Sequence, residues 1–252
     1  MRLAILLALG ACRDAPPACE VGALDACTRR CAADELASCV KLGNMYERGA
    51  GIPADPAKAV TIYERACTAG ESSACTDLGF LLEHGTGVAV DLARATALYQ
   101  AACDHDDRLG CLYLGHVYDE GPAPDAAKAV AAYRKACTAG ALAACANLGV
   151  MQAQGTGIAQ DAAAAVALFR RACDGGERLG CYDLGVTLRD GTPPDLAQAA
   201  RLFDRACEAG EMRGCANLGV MYAAGSGVTA DAAKAAALLA RACAGGYRDA
   251  CK

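Results

Sequence analysis

The sequence predicts an all-α protein, an α/α solenoid of six helix-pair repeats of 34–36 residues stapled by cysteine bridges. Three observations carry that expectation. A fixed pattern recurs along nearly the whole chain and is clearest in residues 207–242, CEAGEMRGCANLGVMYAAGSGVTADAAKAAALLARA. Sixteen of the 17 cysteines fall into C-x7-C pairs. Glycine and aspartate punctuate each copy at constant places, where helices end and begin.

Residues 1–12 read as an export signal. Met1-Arg2 supplies one positive charge, Leu3–Leu9 a short apolar run, and Leu9-Gly10-Ala11 a small-residue cleavage site before Cys12. Leu9-Gly10-Ala11-Cys12 resembles a bacterial lipobox, which implies lipidation at Cys12; plain signal cleavage is the alternative. The run is too short to span a bilayer. Residues 13–30 form a tether, with Pro16-Pro17 favouring extended backbone, and a degenerate N-terminal cap in which residues 23–31 make one short helix.

The repeats occupy 31–66, 67–102, 103–136, 137–172, 173–206 and 207–242, and 243–252 is a terminal cap. The two shortened copies lose residues at the Gly-x-Gly turn, reading Gly121-Pro122-Ala123-Pro124 and Gly191-Thr192-Pro193-Pro194. Indels confined to one turn are what packed flanking helices allow. Helix A runs from near the second cysteine to the first turn glycine, about 143–154 in the fourth copy. Its interior glycine recurs as Gly43, Gly79, Gly115, Gly149, Gly185 and Gly219. Such a glycine costs about 1 kcal/mol relative to Ala, so its recurrence predicts a partner backbone where no Cβ fits. The turn glycines Gly49, Gly85, Gly121, Gly155, Gly191 and Gly225 are expected at positive φ.

Asp55, Asp91, Asp125, Asp161, Asp195 and Asp231 are expected N-caps for helix B. Alanines follow at +2, +4 and +11, and a larger residue at +8: Tyr63, Tyr99, Tyr133, Phe169, Phe203 and Leu239. That stripe reads as core. The first cysteine of each pair closes helix B and the second opens the next helix A. The pairs are Cys19/Cys27, Cys31/Cys39, Cys67/Cys75, Cys103/Cys111, Cys137/Cys145, Cys173/Cys181, Cys207/Cys215 and Cys243/Cys251. Positions eight apart in one straight helix are about 12 Å apart, too far for a disulfide. The intervening residues must therefore turn, and Ala69-Gly70 or Gly175-Gly176 suits that. The pairing of Cys19 with Cys27, which have no complete repeat attached, is left open.

So many cysteines point to an oxidising compartment. The expected location is the periplasm or the outer membrane as a lipoprotein, or the medium if the chain is simply secreted. The odd cysteine is then Cys12.

The copies resemble Sel1-like repeats, a subgroup of the tetratricopeptide-like solenoids, in Ala216-Asn217-Leu218-Gly219-Val220-Met221-Tyr222, Gly225-Ser226-Gly227-Val228 and Asp231-Ala232-Ala233-Lys234-Ala235. The C-x7-C addition looks like the cysteine-rich exported branch typified by the Helicobacter cysteine-rich proteins. The resemblance implies a scaffold for protein or cell-envelope interactions. Helix A would line its concave face, with Lys41, Asp77, Tyr113, Asn147, Asp183 and Asn217 as one candidate column. A second column would be Arg48, His84, Glu120, Gln154, Asp190 and Ala224. The partner would be a protein or a peptidoglycan-related ligand met by a monomer, with the membrane reached only through the Cys12 anchor.

Resemblance to the cysteine-rich branch also implies an alternative, weak penicillin-binding or β-lactamase-like hydrolysis. Only Ser38-Cys39-Val40-Lys41 fits S-x-x-K, and the S-D-N and K-T-G elements of that chemistry do not occur. No catalytic residue is assigned. The net charge of −5 offers no basic stripe for nucleic acid. His84, His105 and His116 are isolated, no zinc-spaced C-x2-C occurs, and the Gly-x-Gly turns follow no strand. No metal or cofactor is expected.

Overall fold

The aspartates and turn glycines divide the chain into helices of one length. The computed structural model describes residues 19–20 and 22–251. The signal segment, Cys12 and the Pro16-Pro17 tether lie outside the described residues. Thirteen α-helices and one 3₁₀ turn are present among the described residues, and no strand. The described residues fall into two compact units, one ending at Asp91 and one beginning at Leu92.

The first unit holds α1 (Leu24–Ala32), α2 (Leu36–Arg48), α3 (Pro56–Thr68) and α4 (Ser72–His84). The second holds α5 (Leu92–Asp104), α6 (Arg108–Glu120), α7 (Ala126–Thr138), α8 (Leu142–Gln154), α9 (Ala162–Asp174), α10 (Arg178–Asp190), α11 (Leu196–Glu208), α12 (Met212–Ala224), α13 (Ala232–Ala244) and the 3₁₀ turn Arg248–Cys251. Even-numbered helices are helix A of a repeat, and odd-numbered helices from α3 onward are helix B. Within each unit every helix packs on the next in sequence, as expected of an α/α solenoid.

Helix B begins as the aspartate pattern requires. The side chains of Asp55, Asp125, Asp161, Asp195 and Asp231 accept from backbone N–H groups in the first turn of α3, α7, α9, α11 and α13. Each such cap is worth about 1 kcal/mol. Helix A ends at a left-handed glycine in the long copies, Gly49, Gly85, Gly155 and Gly225. Gly121 and Gly191 depart from the expectation: their φ values are −73° and −68°. The turn there is two residues shorter, and the chain leaves the helix in extended backbone instead of making a left-handed step.

All eight C-x7-C pairs are disulfides, including the pair left open by the sequence, Cys19–Cys27. The others are Cys31–Cys39, Cys67–Cys75, Cys103–Cys111, Cys137–Cys145, Cys173–Cys181, Cys207–Cys215 and Cys243–Cys251. Their Cα–Cα distances run from 4.4 Å in Cys173–Cys181 to 5.0 Å in Cys243–Cys251. Cys39, Cys75, Cys111, Cys145, Cys181 and Cys215 are all buried in the first turns of helix A, so each bridge is part of the core. The chain reverses at a left-handed residue three places after the first cysteine. This is Gly140 (φ 92°) in the Cys137 turn, whereas Asp34 (φ 60°) and Asp106 (φ 62°) take the place in two others. A closed loop this short stabilises by about 2.5 kcal/mol in the chain-entropy picture.

The rest of the core is the alanine and +8 stripe of helix B against helix A. Ala129, Ala136, Ala165, Ala172, Ala199 and Ala206 are buried, as are Tyr63, Tyr99, Tyr133, Phe169 and Phe203. The +2 alanines, such as Ala127 and Ala163, are exposed and do not belong to it. The helix A glycine has a different reason from the expected backbone contact. A Cβ at Gly149 would lie 2.6 Å from Phe169 Cε1, and one at Gly185 would lie 2.8 Å from Phe203 Cε1. At Gly43 and Gly115 the added atom would enter the rings of Tyr63 and Tyr133. In these four copies the glycine is the seat of the aromatic ring, whereas at Gly219 an added Cβ would lie 3.0 Å from Leu239 Cγ and 3.2 Å from the Ala235 backbone carbonyl oxygen. Close backbone approach occurs instead at the second turn glycine, where Gly157 lies against Ala126 at the start of α7.

Candidate functional site

The first candidate column sits early in each helix A, two residues beyond the bridging cysteine. Lys41 is exposed; Asp77, Tyr113, Asn147, Asp183 and Asn217 are half-buried. The second column, Arg48 to Ala224, forms the last residue of each helix A and is exposed throughout. The half-buried column is therefore tied to the core, through the +8 side chain fourteen residues earlier.

The cysteines next to that column do not share its exposure. Cys75, Cys111 and Cys145 stand two residues before Asp77, Tyr113 and Asn147, and are buried in their disulfides with Cys67, Cys103 and Cys137. Their role is to fix where the column begins. As surface groups for a ligand they are excluded, because burial closes them off and the bridge consumes their thiols.

In the first three repeats the +8 side chain is tyrosine. Tyr63 Oη lies 2.9 Å from Asn44 Oδ1 and 2.9 Å from Glu47 Oε2, both on α2. Burial holds its phenol proton far above the usual range, and the carboxylates of Asp77 and Glu47 add to this. Tyr133 Oη lies 3.2 Å from His116 Nδ1 and 3.3 Å from Asp119 Oδ2 on α6. Burial raises this phenol too, and Asn147 opposes the shift by hydrogen bonding. The rings of Tyr99 and Tyr113 are 5.3 Å apart. Asp77, Tyr113 and Asn147 are thus partly engaged by a tyrosine of the preceding repeat.

In the next two repeats the tyrosine is replaced by Phe169 and Phe203. Arg189 compensates at the second. Its guanidinium lies 5.8 Å from the Phe203 ring centre, and Nη1 donates to Asn217 Oδ1 at 2.6 Å. Nε and Nη2 hold Asp190 at 2.7 and 2.9 Å. Asn217 spends its amide N–H on the Arg213 carbonyl at 2.9 Å. Arg213 donates to Glu211 Oε1 at 2.7 Å, and its guanidinium lies 4.3 Å from the Tyr182 ring centre.

Asp183 has no such support. Among the described residues its carboxylate accepts no hydrogen bond. Burial raises its pKa to about 6, with Arg213 opposing and Glu211 adding. The column therefore divides into members used internally and one carboxylate that is not.

In the first unit Lys41 and Arg48 line a cavity of about 420 Å³ together with Cys19, Glu20, Asn44, Met45 and Ala50. Lys41 Nζ donates to the Cys19 carbonyl at 3.2 Å. Ser38, the serine of the S-x-x-K match, is 2% exposed. A buried hydroxyl whose lysine points to a carbonyl is poorly placed to attack a substrate.

One recurring set of side chains escaped the sequence reading. Arg65, Arg171, Arg205 and Arg241 donate to the carbonyls of Cys31, Cys137, Cys173 and Cys207 at 2.6, 2.8, 2.8 and 2.9 Å. Lys135 does the same to Cys103. Each ties the last turn of helix B to the staple that opens the same repeat. The signal was a basic residue two places before the first cysteine. Arg189 also left a trace: it stands where earlier repeats carry Glu47, Glu83 and Asp119.

Among the described residues no group of three His, Cys, Asp or Glu side chains could hold a metal, and no helix is long and apolar enough to cross a membrane. No curated protein sequence matches the chain. Solved structures do. A Sel1 repeat protein from Oxalobacter formigenes is 26% identical with a TM-score of 0.81, over 88% of this chain and 94% of that one. A protective antigen of uropathogenic Escherichia coli strains is 26% identical with a TM-score of 0.79, over 90% of this chain. The match spans only 50% of that antigen's length. An immunity protein from Pseudomonas aeruginosa shares the fold at 18% identity, with a TM-score of 0.56 over 84% of this chain and 82% of its own. The Sel1 repeat model matches six times, at residues 36–71, 72–107, 108–140, 142–177, 178–211 and 213–247, so the chain belongs to the Sel1 repeat family.

Proposed function

We propose that the chain is an exported, disulfide-stapled scaffold that binds a protein partner through the helix A face. One observation carries this reading. The recurring residues are all spent on the frame: cysteines on staples, glycines on aromatic seats, aspartates on caps. The half-buried column on that frame changes from copy to copy, as Lys41, Asp77, Tyr113, Asn147, Asp183 and Asn217. Variable polar groups at a fixed register of helix A within each unit suit recognition of a partner surface. Eight disulfides support an oxidising location, and Cys12 is the proposed lipid anchor. A peptidoglycan-related ligand would also be met at the envelope, but protein recognition is the commoner use of such arrays.

The test is photo-crosslinking of the oxidised protein in envelope extract, with wild type and variants carrying alanine at Asp77, Tyr113, Asn147 and Asp183. A discrete adduct weakened by these changes, with helicity unaltered, supports the reading. Adducts indifferent to all four would overturn it. Free thiols at the C-x7-C positions in protein isolated from its native compartment would overturn the export claim.

A further inference from the structure

We infer that Asp183 is an open binding position in this face, taking a lysine or arginine side chain of a protein partner. The inference rests on the scaffold reading and gives its partner a chemistry at one point. Three observations meet here. First, fourteen residues before each column member stands a +8 side chain of helix B. In the first three repeats this is a tyrosine that faces the column residue, as Tyr63 faces Asp77 and Tyr133 faces Asn147. At Asp183 the corresponding residue is Phe169, which offers no hydroxyl.

Second, the groups that accept from those phenols have changed with it. Asn44 and Glu47, or His116 and Asp119, correspond to Val150 and Ala153, which pack on the apolar cluster of Phe169, Leu184 and Leu202. The polar network is replaced as a set by apolar contacts, and the carboxylate remains. Third, the two arginines nearest to it on α10 and α12 donate their hydrogen bonds elsewhere, although Arg213 still acts on Asp183 through its charge. Arg213 is held by Glu211 and Tyr182, and Arg189 by Asp190 and Asn217. Helix α8 carries no charged residue. On α9, Arg171 is spent on the Cys137 carbonyl and Arg170 is exposed. On α11, Arg205 is spent on the Cys173 carbonyl.

Arg213 is then shared by two carboxylates, Glu211 and Asp183, and Asp183 is left half-buried without a hydrogen-bond donor. A cationic donor supplies both the missing hydrogen bond and a charge of its own, which a neutral amide does only in part. Glu47 and Asp119 are acidic side chains on helix A of their own copies, but their phenols occupy them.

Asp carboxyl ¹³C signals and backbone amides of the full oxidised chain are followed by NMR during titration with acetyl-lysinamide, acetyl-argininamide and acetyl-glutaminamide. The expected result is a saturable shift centred on Asp183 with one or both cationic probes, and none with the glutamine probe. Asp183→Asn is expected to abolish it. Phe169→Tyr restores the hydroxyl found in the other repeats, and is expected to lower the Asp183 pKa and weaken cation binding about tenfold, the loss of roughly one hydrogen bond. Unchanged binding by D183N, or equal shifts with the glutamine probe, overturns the inference. So does absence of any cation-dependent shift. If the probes fail while crosslinking still depends on the column, the scaffold reading stands and only this inference falls.

Discussion

Gly149→Ala tests the packing rule on which the repeats are built. The substitution adds one methyl group in mid-helix, where helix propensity alone predicts a gain of about 1 kcal/mol. The new Cβ would lie 2.6 Å from Phe169 Cε1 and 2.8 Å from Cδ1. Carbon atoms rest at about 3.5–4.0 Å, so α8 and the ring must separate by about 1 Å. Phe169 is 3% exposed and wedged among Ala165, Leu184 and Leu202, so it has little room to retreat. Overpacking of this kind costs about 1–3 kcal/mol, and a rigid ring places it at the upper end. The expected net loss is about 2 kcal/mol. Gly219→Ala is the internal control. Its nearest neighbours would be Leu239 Cγ at 3.0 Å, on a flexible side chain, and the Ala235 carbonyl oxygen at 3.2 Å, both farther than the ring atoms at Gly149. There the propensity gain and the crowding should nearly cancel. Urea denaturation under oxidising conditions, followed by circular dichroism, measures both. Phe169→Leu in the Gly149→Ala background should recover part of the loss. If Gly149→Ala is as stable as wild type, or costs no more than Gly219→Ala, the aromatic-seat explanation is wrong.

Four further outcomes follow from the same structure. Replacing Cys207 and Cys215 together by serine should lower stability by about 2.5 kcal/mol, and intact-mass measurement of oxidised wild type should show no alkylation at the sixteen paired cysteines. Asp161→Ala removes a carboxylate that accepts from the Ala163 and Ala164 N–H groups at 3.0 Å each, and should cost about 1 kcal/mol in the same melt. Arg171→Ala removes the donor to the Cys137 carbonyl and should cost about 1 kcal/mol, while Arg171→Lys should retain most of it, as Lys135 shows at Cys103. The Asp183 carboxyl is raised to about 6 in the folded chain, above its unfolded value of about 3.9. The folded state therefore binds the proton more tightly, and stability should rise as pH falls from about 7 to about 4. D183N should flatten that slope and be more stable at pH 7 by about 1 kcal/mol; a steeper slope would reject the assignment.

Some of the face was legible and some was not. Register put the candidate column two residues beyond the second cysteine, and there Asp77, Tyr113, Asn147, Asp183 and Asn217 are half-buried whereas Lys41 is exposed. Register could not tell which of them were occupied. Asn217 is spent on Arg189 and the Arg213 carbonyl, and that depends on how α10 and α12 align. The interior glycine reads as a close contact, but at Gly43, Gly115, Gly149 and Gly185 its partner is an aromatic ring and not the expected backbone. A one-dimensional pattern shows that no Cβ fits without showing what fills the space. The +2 alanines recur as strictly as the +4 alanines, yet only the latter are buried, because alanine suits an exposed helix as well as a core.

The sequence by itself determined the architecture. Six copies of one pattern, C-x7-C pairs, aspartate starts and glycine stops leave few alternatives, because each is a local rule repeated in register. The tertiary structure decided the distribution of polar partners. Phe169 in place of tyrosine, Val150 and Ala153 in place of acceptors, and Arg189 reaching the next repeat each look like ordinary variation along the chain. Only when α8, α9, α10 and α12 are brought together does it follow that Asp183 is half-buried and receives no hydrogen bond. Hydrogen bonds between repeats depend on distances of a few ångströms, which a repeat pattern does not encode.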